Sequence, residues 1–253
     1  MAIPNKIYFA SDFHLGSGTY AQQREREDRI VRWLDMIKTD AAEVFLVGDV
    51  FDFWFEYKTV VPKGYIRFFG KLAELADAGI KLYLFKGNHD MWMFDYFEQE
   101  LGATIISDEL EIERSGKKFY LHHGDGLGPG DTFYKFLKNF FRSPFCQWLF
   151  ARVHPNLGVG IANKWSRKSR KTNEKNAHDI ARWQRMQGML ITHCRQLLQT
   201  KHYDYLIFGH QHLPADITLN EHSNFINLGD WISSNTYAVF DGEKLELCWF
   251  EKR

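Results

Sequence analysis

Apolar residues in this chain gather in short runs that break off at small polar clusters. Residues 7–10 stop at Ser11-Asp12-Phe13-His14, 44–47 at Gly48-Asp49-Val50-Phe51-Asp52, and 82–85 just before Gly87-Asn88-His89-Asp90. Residues 119–121 lead into His122-His123-Gly124-Asp125, and 205–208 into Gly209-His210-Gln211-His212. A short apolar run bounded by Gly and polar residues predicts a buried strand with the polar side chains at its carboxyl end.

Between the first three runs, apolar positions recur at helical spacing. Ile30, Val31, Trp33, Leu34 and Ile37 mark a helix over 20–38. Ile66, Phe69, Leu72, Leu75 and Ala76 mark a second over 64–78, closed by Gly79. This strand–helix alternation predicts α/β layering. Residues 104–121 and 217–250 read instead as short strands, turning at 114–117 and at Asp241-Gly242. The expected architecture is a two-sheet sandwich with helices outside.

The stretch between His123 and His210 has another character. Residues 131–142 carry Phe133, Tyr134, Phe136, Leu137, Phe140 and Phe141, an aromatic stripe wider than one core-facing helix needs. A helix over 145–154 is expected to stop at Pro155. Lys164, Arg167, Lys168, Arg170 and Lys171 then form a basic run without an acid, and 176–200 reads as one long helix. The pattern predicts a single domain over 1–253, with a helical insertion at about 128–200 standing over the strand ends.

Composition narrows the classes. With 45% hydrophobic and 16% aromatic residues the chain can build a sizeable core. Lys plus Arg and Asp plus Glu balance at 32 each, so no global field attracts nucleic acid, and none is expected as a partner. Cys146, Cys194 and Cys248 are widely spaced and odd in number, which favours a reducing compartment and a packing role. The opening residues enter a strand at once, and no run of about 18 apolar residues occurs, so a cytoplasmic protein is expected.

The polar clusters read Asp-x-His, Gly-Asp-x-x-Asp, Gly-Asn-His-Asp, His-Gly-Asp and Gly-His-x-His, in that order. Five strand ends delivering carboxylate, amide and imidazole groups toward one edge predict a metal site, with one carboxylate bridging two ions. A lone His after an apolar run is more often a packing residue; the joint pattern outweighs that reading. His154, His178, His193, His202 and His222 fit no motif and are expected to be structural.

The ordered set resembles the calcineurin-like metallophosphoesterase family over essentially the whole chain outside the insertion. The resemblance implies a four-layer α-β-β-α sandwich of two mixed sheets with a dinuclear centre. It implies that Asp12, His14, Asp49 and His212 hold one ion, and that Asp49, Asn88, His123 and His210 hold the other. Both ions would be divalent; the thiolate-free ligand set suits Mn, Fe, Zn or Mg, and the similarity favours Mn. Such a pair activates water and clamps a phosphoryl group. His89 would then serve the leaving oxygen, with Asp90 orienting its ring, and Asp52 and His122 would support or pack.

Within that family, the run from Gly48 to Trp54 and the long insertion look like the UDP-2,3-diacylglucosamine diphosphatases. Those enzymes act in lipid A synthesis at the cytoplasmic face of the bacterial inner membrane, releasing UMP and 2,3-diacylglucosamine 1-phosphate. The likeness implies a phosphorylated, lipid-linked nucleotide substrate contacted by Asn88. Phe133, Phe136, Phe140 and Phe141 would line an acyl groove. Lys164, Arg167, Lys168, Arg170 and Lys171 would meet phosphates or an anionic membrane surface. The stripe could equally pack internally, and the basic run could be a solvated face. Well-known diphosphatases of this type carry Arg where this chain has His89, which leaves a general phosphodiesterase or phosphatase open. A non-catalytic lipid- or protein-binding module is the alternative from another class.

Overall fold

The computed structural model describes residues 5–127, 132–162, 164 and 180–251, and among these there are eleven strands and seven helices. The strands are β1 (Lys6–Ala10), β2 (Ala41–Leu46), β3 (Lys81–Phe85), β4 (Thr104–Ile106), β5 (Leu110–Arg114), β6 (Lys117–His122), β7 (Tyr205–Phe208), β8 (Ala215–Asn220), β9 (Ser223–Asn227), β10 (Thr236–Phe240) and β11 (Leu245–Trp249). The helices are α1 (Tyr20–Ile37), α2 (Ile66–Asp77), α3 (Tyr96–Leu101), α4 (Thr132–Arg142), α5 (Pro144–Ala151), α6 (155–162) and α7 (Ile180–Leu197).

One six-stranded sheet runs β11-β10-β1-β2-β3-β4, and a five-stranded sheet runs β5-β6-β7-β9-β8. Both are mixed: β1, β2, β3 and β4 are parallel in the first, and β6, β7 and β9 in the second. The central strands are buried on both faces, so they read as continuous apolar runs rather than alternations. Alternation still sorts their side chains. Ile7, Phe9 and Phe45 meet Phe119, Leu121 and Ile207 between the sheets. Tyr8, Val44 and Leu46 turn outward onto Ile30, Trp33, Phe68 and Leu72 of α1 and α2. On the far side Tyr120, Leu206 and Phe208 pack on Leu190 and Cys194 of α7. Helix, sheet, sheet, helix is the expected four-layer order.

Local chemistry sets several boundaries. Thr19 and Gln22 cap α1 reciprocally. Beyond α2, Gly79 takes a φ of 83° and its N–H bonds the Ala76 carbonyl, as expected of a left-handed helix stop. Pro155, expected as a stop, also opens α6, where a missing N–H costs nothing. The expected strand at 44–47 starts earlier, at Ala41. Its buried Glu43 looks unlike a strand residue until Arg114 of the other sheet is seen bonding it twice, at 2.8 and 3.0 Å. Helix α3 carries no strong sequence signal. Its first amides are satisfied by Glu56, forty positions earlier than Tyr96, whose Oε2 accepts from Phe94, Asp95 and Tyr96.

Helices α4, α5 and α6 form a cap seated on the loops after β2 and β3. Phe141 and Phe150 pack there with Phe55 and Trp92, and the Trp92 indole donates to the Phe141 carbonyl at 2.8 Å. The C-terminal half of α7 belongs to the outer layer of the second sheet rather than to this cap. Among the described residues, no helix is long and apolar enough to cross a membrane.

Candidate metal centre

The loops following β1, β2, β3, β6 and β7 meet at one edge of the sandwich. Backbone hydrogen bonds lace them together: Asp12 donates to Gly48, His14 to Asp49, and Gly209 to His123. Across the sheets, the His210 amide donates to Asp12 Oδ2 at 2.9 Å. Five of the seven expected ligands, Asp12, His14, Asp49, His210 and His212, hold positive φ between 45° and 67°. Such backbone is unfavourable for residues other than glycine and persists where the surroundings over-determine it, typically at functional sites.

Two glycines of the motifs are required by close approach. A Cβ on Gly209 would stand 2.6 Å from Asp12 Oδ2, and one on Gly87 would overlap the Asp49 carboxylate. Neither position can carry a side chain without moving a ligand.

The fold brings the expected ligands together in two groups. Asp12, His14, Asp49 and His212 each offer an atom within 4.8 Å of one another, and so do Asp49, His123 and His210. Asp49 is common to both. Its Oδ2 lies 3.8 Å from His14 Nε2 and 3.4 Å from His123 Nε2, while its Oδ1 accepts the His89 amide at 2.8 Å. Asn88 joins the second group, with Oδ1 at 3.3 Å from His123 Nε2. His123 Nδ1 lies 2.8 Å from the Val47 carbonyl, which can only accept, so Nδ1 carries a proton and Nε2 is the atom that faces Asp49 and Asn88, donating to them when protonated and open to a cation when not.

The donor set fits a cation on three counts. Asp12 Oδ1 and His14 Nδ1 are buried without a hydrogen-bond partner. His212 Nε2 faces Asp12 Oδ1 at 3.1 Å and His14 Nε2 at 3.0 Å, so three donor atoms converge on one point, as the ligands of a cation do. Electrostatics agree. Burial pushes the His14 and His123 imidazoles down, yet the carboxylates around them win, Asp12, Asp52 and Asp49 for His14 and Asp49, Asp12 and Asp125 for His123, and lift both to about 10. Burial likewise favours neutral Asp12 and Asp49, but the surrounding imidazoles hold both carboxyls far below their ordinary range. His210 goes the other way, down to about 4, through burial and the neighbouring His123.

His89 lies against the first cluster, its ring edge-on to His14 with centroids 4.9 Å apart. The ring contact expected of Asp90 is supplied by Asp52, whose carbonyl lies 3.0 Å from His89 Nδ1. Asp90 instead ties two loops together, accepting from the amides of Phe51 at 3.2 Å and Gly87 at 2.8 Å. Burial and the nearby Asp49 charge raise the Asp90 carboxyl to about 7, and burial lowers the His89 imidazole. Asp52 reaches His14 as well, its Oδ1 lying 3.6 Å from Nδ1. His122 packs, as expected, and its Nδ1 accepts the Gly124 amide at 2.7 Å.

Two carboxylates have parts that went unassigned from sequence. Asp230 follows β9 at another Gly-Asp, the same signature as Asp49, and its Oδ2 lies 3.6 Å from His212 Nδ1. Asp125, in the His-Gly-Asp cluster, binds Tyr134 and Lys138 of the cap. Their spacing of four on one helix was the available hint.

The expected substrate residues divide. Phe136 and Phe140 are 64% and 46% exposed, whereas Phe141 packs inward against Trp92. Lys164 is exposed. Arg167, Lys168, Arg170 and Lys171, and the side chain of Phe133, lie outside the described residues. The Gly48-to-Trp54 run turns out to be core, with Phe51 stacked on Trp54 at 4.5 Å.

Residues 5–214 match the calcineurin-like phosphoesterase family. The chain belongs to that family. It is therefore a hydrolase of phosphoric esters, and family and ligand clusters together support the use of divalent metal. This calcineurin-like phosphoesterase is 40% identical to the UDP-2,3-diacylglucosamine hydrolase of Porphyromonas gingivalis, over 96% of this chain and 97% of that one. It is 27% identical to the enzyme of the same name from Pseudomonas fluorescens, over 97% of this chain and 95% of that one. Among solved structures it is similar to the phosphoesterase Yfce from E. coli, with 16% identity, a TM-score of 0.46, and coverage of 97% of this chain and 93% of that one.

Proposed function

We propose that the protein hydrolyses the pyrophosphate of UDP-2,3-diacylglucosamine, giving UMP and 2,3-diacylglucosamine 1-phosphate. The observation that carries this reading is the exposed apolar face of the cap beside the ligand cluster. Phe136, Phe140, Phe145, Trp148 and Leu149 are each at least 46% exposed, a patch that a small water-soluble phosphodiester would not require. Acyl chains would bury it, each CH₂ contributing about 0.8 kcal/mol. The names of the full-length relatives agree.

In this reading Asp12, His14, Asp49 and His212 hold one divalent ion, and Asp49, Asn88, His123 and His210 hold a second; manganese is the metal proposed. Bound there, the ions supply an acidic water near neutral pH and positive charge for the phosphoryl oxygens. The remaining work falls to the chain. Val47 and Asp52 fix ring tautomers through their carbonyls, and Asp49 spans the two halves. Asn88 and the cap aromatics bind substrate. In the same reading the basic run meets an anionic surface, and the protein works peripherally on the cytoplasmic face of the inner membrane. The chain is read as one domain with its insertion at about 128–200.

His89 distinguishes between leaving groups. With Nδ1 donating to the Asp52 carbonyl, only Nε2 exchanges a second proton, and burial lowers the ring's pKa. At neutral pH the ring is then an acceptor. An alkoxide leaving group needs a proton, whereas either half of a cleaved pyrophosphate leaves as a phosphate and needs none, so a neutral His89 suits the pyrophosphate. The test is Mn-dependent UMP release from UDP-2,3-diacylglucosamine by purified protein. Rapid turnover of bis(p-nitrophenyl) phosphate with the lipid nucleotide left intact would replace this reading with a general phosphodiesterase.

A further inference from the structure

Asp125 lies two residues beyond His123 and is buried. Its Oδ2 accepts the Tyr134 hydroxyl at 2.9 Å and the Lys138 ammonium at 2.9 Å. The same ammonium donates to the Asp125 carbonyl at 3.2 Å. Tyr134 and Lys138 are four positions apart, so both project from one side of α4. Three polar groups largely shut off from water hold one another in a single geometry, because releasing one leaves another unpaired.

The far end of α4 is tied elsewhere. Arg142 donates to Asp108 at 2.5 Å and to the Ser107 carbonyl at 2.8 Å, both in the loop after β4. Its first two turns are therefore referenced to the loop that carries His123, and its last residue to a sheet edge. Phe136 and Phe140 project from the exposed side of the same helix.

We propose that Asp125 is a positioning residue that, through Tyr134 and Lys138, sets the cap helix α4 and its exposed aromatics at a fixed spacing from the metal-ligand loops. The kinetic consequence rests on the reading that this face meets acyl chains; the geometric consequence does not. A substrate spanning both surfaces needs that spacing, whereas a small phosphodiester touching only the ligand loops does not.

The test uses the full chain with Tyr134→Phe and Lys138→Met combined, leaving Asp125 and every ligand in place. Amide exchange over residues 132–142 is expected to accelerate by about tenfold or more. KM for UDP-2,3-diacylglucosamine should rise by about tenfold, while kcat/KM for bis(p-nitrophenyl) phosphate and bound metal change by less than about twofold. Lys138→Arg, which keeps the charge, should restore exchange protection and KM. Unchanged exchange over 132–142 would overturn the proposal. So would loss of metal and of bis(p-nitrophenyl) phosphate hydrolysis in step with the lipid substrate, since Asp125 would then act on the ligand loops. Should the wild-type protein ignore the lipid nucleotide, the proposed substrate fails, and the exchange and metal measurements still decide the role of Asp125.

Discussion

The Nε2 atoms of His14 and His212 stand 3.0 Å apart, although 198 positions separate the two residues in the chain. Asp12 Oδ1 lies 3.1 Å from the second of them. Neutral imidazoles do not turn lone pairs on each other at that distance without a cation or a proton between them. His212→Ala is expected to remove one of the two proposed ions and to slow phosphodiester hydrolysis by about a thousandfold, roughly 4 kcal/mol of barrier. Asp49→Ala should remove both ions. Metal content by atomic emission alongside kcat checks this; full metal content in Asp49→Ala would contradict the shared ligand.

Metal-free protein should depend on pH in a defined direction. His14 and His123 rise from 6.5 to about 10 on folding, so each binds its proton more tightly when folded. That contribution is complete below about pH 6.5 and is lost as pH climbs toward 10. Melting temperature in EDTA is expected to fall steadily across this window, and to fall less in excess Mn, which replaces the protons. A flat profile in EDTA would show that the carboxylates do not hold those protons.

Gly209→Ala tests whether the ligand loops tolerate any slack. The added methyl meets Ser11 Oγ and Asp12 Oδ2, and Asp12 also accepts the His210 amide. Crowding of this kind costs about 1–3 kcal/mol of stability, and here the shift falls on a ligand. A lower melting temperature together with weaker metal affinity is expected. Normal metal affinity would mean the loops relax without moving Asp12.

Exposed cap aromatics should contribute little to the fold. Phe136→Ser and Trp148→Ser are expected to leave stability within about 0.5 kcal/mol, because both side chains are more than half exposed. Co-sedimentation with anionic phospholipid vesicles should fall in the double variant. Undiminished sedimentation would separate this face from lipid contact.

Much of this molecule was legible as a string. Apolar runs ending in Gly and polar residues placed five strand ends correctly, because strand burial and turn chemistry act over a few residues. The same clusters named Asp12, His14, Asp49, Asn88, His123, His210 and His212, which the fold brings together. Other features depend on partners remote in sequence. Glu43 belongs to a strand because Arg114 neutralises it from the opposite sheet. Helix α3 is capped by Glu56. The carbonyl of Asp52, rather than Asp90, holds His89.

The sequence by itself determined which residues end the strands, and with them the candidate ligands that the fold gathers, since those signals are local. Tertiary structure alone decided how the aromatic stripe of α4 divides. Tyr134, Lys138 and Phe141 turn inward because Asp125 and Trp92 await them, and Phe136 and Phe140 are left to solvent. A helix of apolar and basic residues offers more than one face to bury, and only the surface it lands on makes the choice.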